Sequence, residues 1–349
     1  MKKIYSLAII AVLLLGASLK AAAQDPYFTQ FLASPLYLNP AYAGTSEQQR
    51  FTLINRIQWP SAPQAFTTYG FSYDLNIPVL RSGIGFLATT DKAGSVGLRT
   101  STLQMMYSYK IQVQDRFIIS PAIGMGVSFR GIDRSALLFG DQFDFSDPNQ
   151  GLSGDPALLL LDPNTSYYDV STGILIYNER AWFGASAYHI NTPNQSLLGE
   201  QSALPIRYSV HAGFQIRLAN NIFDKSRIPV LAPAVTYRRQ ENFDQLDIGA
   251  SFFYNPIMVG LYYRGLPLLQ NVLKNDSNDG ASLMVGVRFQ QLMVGYSYDI
   301  TLSDLGPGSG GAHEISLVYQ FAYHSTGKKK YKPIPCPSFL ESVRDKWKY

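Results

Sequence analysis

The chain has 349 residues, of which 46% are hydrophobic, 13% aromatic and only 15% charged, and its formal net charge is +4. The single cysteine excludes a framework of intrachain disulfides. A mean hydropathy of −0.03 would also suit a soluble enzyme. However, sparse charge with abundant Tyr and Phe is typical of transmembrane β-barrels, whose strands are half polar and whose aromatic side chains mark both membrane interfaces.

Residues 1–23 are predicted to be a cleaved export signal. Lys2 and Lys3 form a basic start, residues 7–15 are apolar, and three alanines provide a small-residue cleavage site before Gln24. The apolar run is short for a transmembrane helix. No cysteine follows the cleavage site, which argues against lipoprotein processing, and an uncleaved anchor is the alternative. We expect the mature chain to begin at Gln24.

Residues 24–48 form a segment that is rich in both proline and aromatic side chains. It contains QDPYFTQF followed by PLYLNPAYAGT, and Pro26, Pro35 and Pro40 disfavour both helix and sheet. An apolar segment of this kind should pack on something, namely the wall of a barrel, its lumen or a partner. The simplest structural role is a plug or cap at the periplasmic mouth of the barrel.

Residues 49–323 are predicted to form one β domain. In residues 206–218, Tyr208 and Val210 point to one face and Ser209 to the other, as expected because side chains alternate along a strand. We predict an all-β fold, a transmembrane antiparallel β-barrel of about fourteen strands, with a periplasmic N-terminal segment and a basic C-terminal tail. The strands centre on residues 51–59, 64–74, 82–90, 98–113, 116–130, 167–177, 181–190, 206–218, 228–238, 245–254, 257–264, 281–289, 292–299 and 313–321.

The lengths of the connections support this topology. The long connections 131–166, 191–205, 265–279 and 300–312 follow odd-numbered strands, whereas most connections after even-numbered strands have two or three residues. Outer-membrane barrels have long external loops and short periplasmic turns, so both termini are predicted to be periplasmic. A soluble β-sandwich or jelly roll, which also alternates, is the competing fold.

No catalytic motif is recognised in the sequence. The four histidines lack the spacing of a metal site, and His189 and His211 are predicted to be hydrated lumen residues on strands. The aspartates within 141–147 lack the pattern of an EF-hand, so a solvated loop is favoured. No nucleophile elbow, phosphate loop or zinc-protease motif is present. We therefore predict no enzyme, no cofactor and no metal site.

Residues 324–349 form a basic C-terminal tail. Its formal charge is about +5, while the barrel portion is mildly acidic at about −4, so the basic pI does not indicate a nucleic-acid surface. Lys328, Lys329 and Lys330 begin a strip rich in proline that is predicted to dock on an acidic protein surface or on anionic lipid headgroups. A disordered extension is the alternative.

The opening of the mature chain resembles the PorP/SprF family, which is associated with type IX secretion and gliding motility. Beyond the two motifs quoted above, Asn55-Arg56 and Gln58-Trp59 contribute, and the resemblance extends over most of the mature chain. The positions that match the opening motif are Gln24, Asp25, Pro26, Phe28, Gln30, Asn39, Pro40, Ala41 and Gly44.

The resemblance implies a non-enzymatic barrel of the cell outer membrane that helps to deliver or retain a secreted surface protein. It implies as partners a secreted substrate protein or surface adhesin, other periplasmic or outer-membrane type IX components, and outer-membrane lipids. The predicted partner-binding residues are Asp25, Pro26, Tyr27, Phe28, Gln30, Phe31, Asn39, Pro40, Ala41 and Gly44 in the N-terminal segment, Phe139, Phe143 and Phe145 in the longest connection, and Lys328, Lys329 and Lys330 in the tail.

Transport is the alternative function. A barrel of about fourteen strands has room for a lumen, so a channel for small or hydrophobic solutes is possible on size alone. Its candidate lumen residues are Arg207, His211, Arg217 and Arg288. A third class, an outer-membrane hydrolase, would need a nucleophile–base pair that we do not recognise in the sequence.

Overall fold

A computed structural model of the chain describes residues 24–46, 49–61, 65–94, 97–114, 116–133, 137, 161–218, 229–265, 280–301, 307–321 and 336–337. Within these residues, sixteen β segments form one antiparallel sheet. They are β1 (Gln49–Gln58), β2 (Phe66–Ile77), β3 (Ser82–Ala93), β4 (Leu98–Tyr109), β5 (Ile111–Val113), β6 (Phe117–Gly131), β7 (Asn164–Tyr177), β8 (Ala181–Tyr188), β9 (Arg207–Phe214), β10 (Ile216–Arg217), β11 (Val230–Gln240), β12 (Phe243–Tyr254), β13 (Ile257–Arg264), β14 (Gly280–Phe289), β15 (Leu292–Thr301) and β16 (Ala312–Phe321).

The sixteen described segments make fourteen strands of a closed barrel. Segments β4 and β5 pair with β6 in one continuous register that is interrupted at Lys110. Segments β9 and β10 likewise share one register along β11, with the interruption at Gln215. Each strand pairs with its neighbours in sequence, and β1 pairs with β16, which closes the sheet. The predicted fourteen-stranded antiparallel barrel is confirmed.

The strands have an apolar exterior face and an interior face on which buried polar side chains alternate with buried apolar ones that pack against the N-terminal segment. In β9, Tyr208 and Val210 are exposed whereas Ser209 and His211 are buried, as the alternation predicts. An apolar outer surface of this kind suits a lipid environment. Exposed large apolar residues on other strands include Leu53, Ile84, Leu103, Met105, Ile123, Met125, Ile174, Leu261, Leu283 and Ile315.

The two ends of the barrel differ in their connections. At one end, residues 132–163 join β6 to β7 and residues 189–206 join β8 to β9. We call this the long-loop end. At the opposite end, residues 178–180 join β7 to β8 and residues 290–291 join β14 to β15. We call this the short-turn end.

The helices of the described chain are single turns. Helix α1 spans Pro35–Leu38, and 3-10 helices span Pro40–Tyr42, Pro78–Leu80 and Pro307–Ser309. Proline opens each of them, which fits its fixed φ and missing N–H at a first helical position. Within the described ranges, no helix is both long and apolar enough to cross a membrane.

Residues 24–46 lie in the lumen of the barrel, and we call this segment the plug. Phe28, Leu36 and Ala41 are fully buried between plug and wall, at 2%, 0% and 0% exposure. Asn39 caps the 3-10 helix that follows it, because its side-chain oxygen accepts the Ala41 N–H at 2.9 Å. The sequence left three locations open for this segment: the barrel wall, the lumen and a partner. The structure places it in the lumen.

Candidate functional site

The plug runs through the lumen from the long-loop end to the short-turn end. Near its start, the N–H of Asp25 donates to the side chain of Gln240 at 2.9 Å, at the last residue of β11. Near its end, the N–H of Gly44 donates to Asp74 at 3.0 Å, towards the short-turn end of β2. The plug therefore contacts the wall along the length of the barrel, and this interface is the candidate functional site.

Three arginines surround the ring of Tyr27, close to the start of the plug. The guanidinium carbons of Arg264, Arg56 and Arg238 lie 4.5, 4.6 and 5.5 Å from the ring centroid. Arg264 also donates to the Tyr27 hydroxyl at 3.0 Å. A desolvated cation–π contact contributes about 2 kcal/mol, so the ring attracts all three charges. We call these four residues the arginine cage.

Three carboxylates on the wall balance the three arginines, so the cluster is formally neutral. Pairing of this kind is required because an unpaired charge inside a protein is very costly. Each arginine has at least one carboxylate oxygen within 3.2 Å. The pairs are Arg264 with Asp247 (2.8 Å) and Asp299 (3.1 Å), Arg238 with Asp247 (2.7 Å), and Arg56 with Asp299 (2.8 Å) and Glu314 (3.2 Å).

The same carboxylates hold the plug backbone. Glu314 accepts the N–H groups of Thr29 and Gln30 at 2.9 and 2.8 Å, one on each carboxylate oxygen. The Thr29 hydroxyl donates to Asp299 at 2.7 Å. Gln30 accepts a hydrogen bond from the Ser316 hydroxyl at 2.6 Å. Hydrogen bonds to ionised groups are roughly twice as strong as neutral ones, so this part of the plug is firmly attached.

At the long-loop end, His189 lies between two carboxylates. Its Nε2 is 2.7 Å from Asp25 of the plug, and its Nδ1 is 2.9 Å from Asp169 of β7. Burial alone lowers the pKa of His189, but the two carboxylates outweigh burial and raise the pKa to about 9. Burial raises the pKa of Asp25, but the charges of His189 and Arg207 lower it below its ordinary value. We call Asp25, His189 and Asp169 the latch.

Arg207 extends the latch by stacking between two tyrosines. Its guanidinium carbon lies 4.6 Å from the ring centroid of Tyr37 and 4.4 Å from that of Tyr188, and it pairs with Asp25 at 3.0 Å. The Tyr37 hydroxyl donates to the carbonyl of Pro26, and burial raises the pKa of Tyr37 to about 12. Tyr37 therefore stays neutral and remains a donor.

In the middle of the lumen, Asn39 reaches the strand backbone. Its side-chain amide donates to the carbonyls of Ile174 and Ala185 at 3.1 and 3.2 Å and lies 3.1 Å from Nε2 of His211. Gly173 makes this approach possible, because a Cβ at that position would lie 2.0 Å from Asn39 Oδ1. Asn39 thus links the plug to β7, β8 and β9.

At the short-turn end, a second set of charges holds the end of the plug. Asp74 accepts from Arg50 at 2.7 Å and from the Gly44 N–H at 3.0 Å. The Lys110 ammonium donates to the Gly44 carbonyl and, at 2.7 Å, to Asn76. We call this group the lower anchor. The plug is therefore fixed by charged groups at both ends of the lumen.

Two residues of the C-terminal tail, 336–337, are described, and they lie beside the lower anchor. Cys336 is buried, and its N–H donates to the carbonyl of Thr45 at 3.4 Å. This long hydrogen bond is a weak one. It nevertheless places this point of the tail against the end of the plug.

A cavity of about 130 Å³ remains between plug and wall near the long-loop end, and its lining includes Asp25, Arg130, Asp169 and His189. It has the volume of a few water molecules and is smaller than the ~300–1,000 Å³ of typical ligand pockets. Within the residues that the structure describes, no three His, Cys, Asp or Glu side chains are grouped so as to hold a metal ion.

The structure brings the predicted partner-binding residues of the N-terminal segment together inside the barrel. Their contacts here are with the wall, and their role in binding a partner stays a prediction. Phe28, Gln30, Phe31, Asn39, Pro40, Ala41 and Gly44 are buried, while Asp25, Pro26 and Tyr27 are partly exposed. The other predicted residues, Phe139, Phe143, Phe145, Lys328, Lys329 and Lys330, lie outside the described residues.

The histidines and the candidate lumen residues differ in part from expectation. His211 and Arg207 face the interior, but they pack against the plug instead of being hydrated. His189 is not on a strand, because it follows the last residue of β8 in a left-handed conformation with φ of 59°. Arg217 and Arg288 lie near the short-turn end, away from the latch, and Arg288 donates to the carbonyl of Gln290.

The charged wall residues of the cage and the anchor were missed as a site by sequence reasoning. Asp74, Asp247, Asp299 and Glu314 each occupy an interior position on an alternating strand. Few residues of this chain are charged, so several inward-facing acids opposite inward-facing arginines are themselves a signal. Combined with a neighbouring apolar segment, that signal would have favoured a plug.

The sequence model of a family described as the type IX secretion system membrane protein PorP/SprF matches residues 20–319. The chain belongs to this family. The match includes the whole plug and every strand as far as Tyr319 of β16, so family membership applies to the plugged barrel as a unit. An outer-membrane-type barrel in a secretion family is a protein of the outer membrane, and membership implies partners within the secretion machinery.

Three solved barrels show some likeness to the chain at low sequence identity. The toluene transporter TodX of P. putida has 10% identity and a TM-score of 0.48, and the match covers 86% of this chain and 96% of that chain. The CymD monoaromatic hydrocarbon channel has 12% identity and a TM-score of 0.41, covering 84% and 94%. A mutant of Rhodopseudomonas blastica porin has 6% identity and a TM-score of 0.32, covering 78% and 98%. Comparison with curated proteins gave no match.

Proposed function

We propose that this PorP/SprF protein is a non-enzymatic partner barrel of the type IX secretion and gliding machinery, which helps to deliver or retain a secreted protein at the cell surface. The observation that carries the proposal is the plug, which occupies the lumen from Asp25 near the long-loop end to Gly44 near the short-turn end. A barrel filled by its own chain is suited to recognition of other proteins and poorly suited to diffusion of solutes.

The energetics of the plug support this assignment. Taking the plug out would remove Asp25 from His189 and Arg207, and Thr29 from Glu314. Breaking one buried charged contact costs about 3–5 kcal/mol, and two such losses keep an open state below about one molecule in ten thousand. A partner would therefore bind the barrel while the plug occupies the lumen.

We further propose an orientation with the long-loop end outside the cell and the short-turn end in the periplasm, because outer-membrane barrels carry their longer loops outside. Residues 1–23 would act as the export signal, cleaved before Gln24. In this orientation the start of the plug lies near the outer mouth, which differs from the periplasmic N-terminal segment predicted from the sequence. The tail, 324–349, would leave β16 on the periplasmic side.

Each end would have its own class of partner. A secreted protein or adhesin would bind at the long-loop end, through the aromatic residues Phe139, Phe143 and Phe145. A periplasmic component of the machinery would bind at the short-turn end, through Lys328 and the lysines that follow it. Aromatic anchors and complementary charge are the usual means of such recognition.

The test is a mild-detergent pull-down of the tagged full chain from native outer membranes, followed by mass spectrometry. We would compare wild type with the triple variant Phe139→Ser, Phe143→Ser and Phe145→Ser and with a variant carrying Gln at positions 328–330. Wild type should retain a large secreted protein and a periplasmic component. The first variant should lose only the secreted protein, and the second only the periplasmic component.

The same preparations would be placed in planar bilayers to measure conductance. A barrel that retains its partners and does not conduct agrees with the proposal. A barrel that comes out alone and conducts ions, or transports small hydrophobic solutes, would overturn it in favour of a channel.

A further inference from the structure

The outer surface of the barrel carries an unusual pair of like charges. Lys92 on β3 and Arg99 on β4 lie directly opposite each other in the strand register, and both are exposed. Like charges in this relation destabilise a sheet. Four other arginines instead face an acidic residue in the register, namely Arg50 with Asp74, Arg56 with Glu314, Arg239 with Asp244 and Arg264 with Asp247.

Lys92 and Arg99 are also without compensation from the part of the chain that the structure describes. Neither side chain forms a hydrogen bond or ion pair with any residue that the structure describes. The two opposed cations therefore favour binding of an anion from outside the chain. Both cations would be attracted to an anion that they share, and this attraction would offset their mutual repulsion.

The pair lies where the apolar surface of the barrel ends. Towards the middle of the same outer face, Leu103 and Met105 of β4 are exposed to lipid, at 43% and 64%. The next row has the hydroxyls of Thr90 and Ser101, which are 3.1 Å apart. The row beyond is the pair itself, at the long-loop end. From the middle of the barrel to its rim, the outer face therefore carries an apolar row, a hydroxyl row and a basic row. A membrane lipid has its groups in the same order: acyl chains, then sugars or glycerol, then headgroup phosphates.

An open groove of about 1130 Å³ runs along this rim. Its lining contains three basic side chains and one carboxylate, Asp133, so its formal charge is positive. Two aromatic rings flank the hydroxyl row. The lining residues that matter here are Tyr69, Thr90, Lys92, Arg99, Ser101 and Phe129.

We propose that this rim groove binds the phosphate groups of a phosphorylated glycolipid of the outer leaflet. The guanidinium of Arg99 can donate two parallel hydrogen bonds to one phosphate, and Lys92 adds a compact charge beside it. The hydroxyls of Thr90 and Ser101 would donate to sugar or phosphate oxygens, and Tyr69 and Phe129 would pack on the upper acyl chains. The assignment to the outer leaflet rests on the orientation proposed above.

The experiment is native mass spectrometry of the full chain in detergent with four probes: diphosphoryl lipid A, monophosphoryl lipid A, phosphatidylglycerol and inorganic phosphate. The test variant is Lys92→Gln with Arg99→Gln, which also removes a repulsion and so should not weaken the fold. The matched control is Arg239→Gln, since Arg239 is an outward-facing arginine at the same end that already has Asp244 at 3.7 Å.

We expect wild type and the Arg239→Gln control to retain one diphosphoryl lipid A, and monophosphoryl lipid A to bind less tightly. The double variant should bind diphosphoryl lipid A about tenfold or more weakly. Equal binding by the double variant would overturn the site. Phosphatidylglycerol binding as tightly as lipid A would overturn the outer-leaflet glycolipid, and complete displacement by inorganic phosphate would show a site for the free anion instead. None of these outcomes depends on whether a secretion partner co-purifies.

Discussion

At the scale of single residues, Tyr27 shows how the plug and the wall depend on each other. Its ring is the shared neighbour of Arg56, Arg238 and Arg264, three cations that would otherwise repel one another. The ring faces attract the charges, and the wall carboxylates neutralise them. The barrel interior is therefore built to receive this residue, and the plug is part of the fold.

The Tyr27 ring should contribute far more than its hydroxyl. Tyr27→Ala removes the ring and leaves a cavity among the arginines, so we expect the free energy of unfolding to fall by about 3–5 kcal/mol. Tyr27→Phe keeps the ring and loses only the hydrogen bond from Arg264, which should cost about 1 kcal/mol. Urea unfolding of the barrel in detergent, followed by tryptophan fluorescence, measures both values. A similar loss in the two variants would show that the ring contacts contribute little.

The latch predicts a dependence of stability on alkaline pH. Because the folded pKa of His189 is raised from 6.5 to about 9, its stabilisation is complete below the unfolded pKa and is lost as the pH rises through about 9. At about 1.4 kcal/mol per pH unit, the loss should total about 3 kcal/mol. Stability measured from pH 6 to pH 10 should show this step in wild type.

The acid side of the latch has the opposite sign. The folded pKa of Asp25 is lowered, so its stabilisation is present above the ordinary value of 3.8 and is lost as the pH falls through the folded pKa.

The His189→Gln variant is the control for the alkaline step, since glutamine cannot titrate. A step near pH 9 that persists in His189→Gln would assign the titration to another group.

At the scale of elements, the strands were predictable and the plug contacts were not. All fourteen strands follow from alternation with a period of two, which is local information, and the lengths of the connections fixed their pairing. The placement of residues 24–46 depends on contacts across more than 200 residues of sequence, such as Thr29 with Glu314. Alternation carries no information on such pairs, so the wall, the lumen and a partner all remained open.

His189 illustrates the same limit on a smaller scale. Its neighbours alternate as a strand, and the sequence places it on one. In the structure it leaves β8 with a φ of 59° and turns towards Asp25 and Asp169. The carboxylates that stabilise this turn are 164 and 20 residues away in sequence. The local pattern therefore predicts the strand and misses the site.

Gly83 and Gly173 lie on the strands where the plug approaches the wall closely, and we call these two positions the seats. A larger side chain at either seat should displace the plug. A Cβ at Gly83 would lie 2.0 Å from the carbonyl oxygen of Ala43, and one at Gly173 would lie 2.0 Å from Asn39 Oδ1. We expect Gly83→Ala and Gly173→Ala each to lower the free energy of unfolding by about 1–3 kcal/mol, because overpacking forces the backbone to move. Both variants should also expose the plug to limited proteolysis.

Gly308→Ala is the matched control for these seats, since a Cβ there has no heavy atom within 4 Å. It should match wild type in stability and in protease resistance. If all three variants behave alike, the seats do not position the plug.

At the scale of the whole molecule, the filled lumen helps to distinguish between two functions, a channel and a scaffold. The fold class alone allows both. The opening motif gave the family from sequence, whereas the filled lumen needed the structure. A channel must let solutes pass the plug, while a scaffold needs the plug to stay. The latch and the cage near one end, and the lower anchor at the other, favour a plug that stays.

A disulfide between plug and wall would test this difference directly. A Cβ built on Gly85 would lie 3.2 Å from Ala43 Cβ, close to the ~3.5–4.5 Å that a disulfide requires. Ala43→Cys with Gly85→Cys, in a Cys336→Ser background, should therefore crosslink on oxidation and show a shift in electrophoresis that a reductant reverses.

If the plug stays in place during function, the oxidised barrel should keep the same partners in a pull-down, support the same secretion in cells and remain closed in planar bilayers. Reduction should change none of these. The Cys336→Ser background with Ala43→Cys alone, and the same background with Gly85→Cys alone, control for the two substitutions themselves. Loss of secretion or of solute uptake on oxidation, with recovery on reduction, would show that the plug must move. The disulfide restricts motion of the plug at Ala43, so its reduction could restore activity only if motion at that point is required.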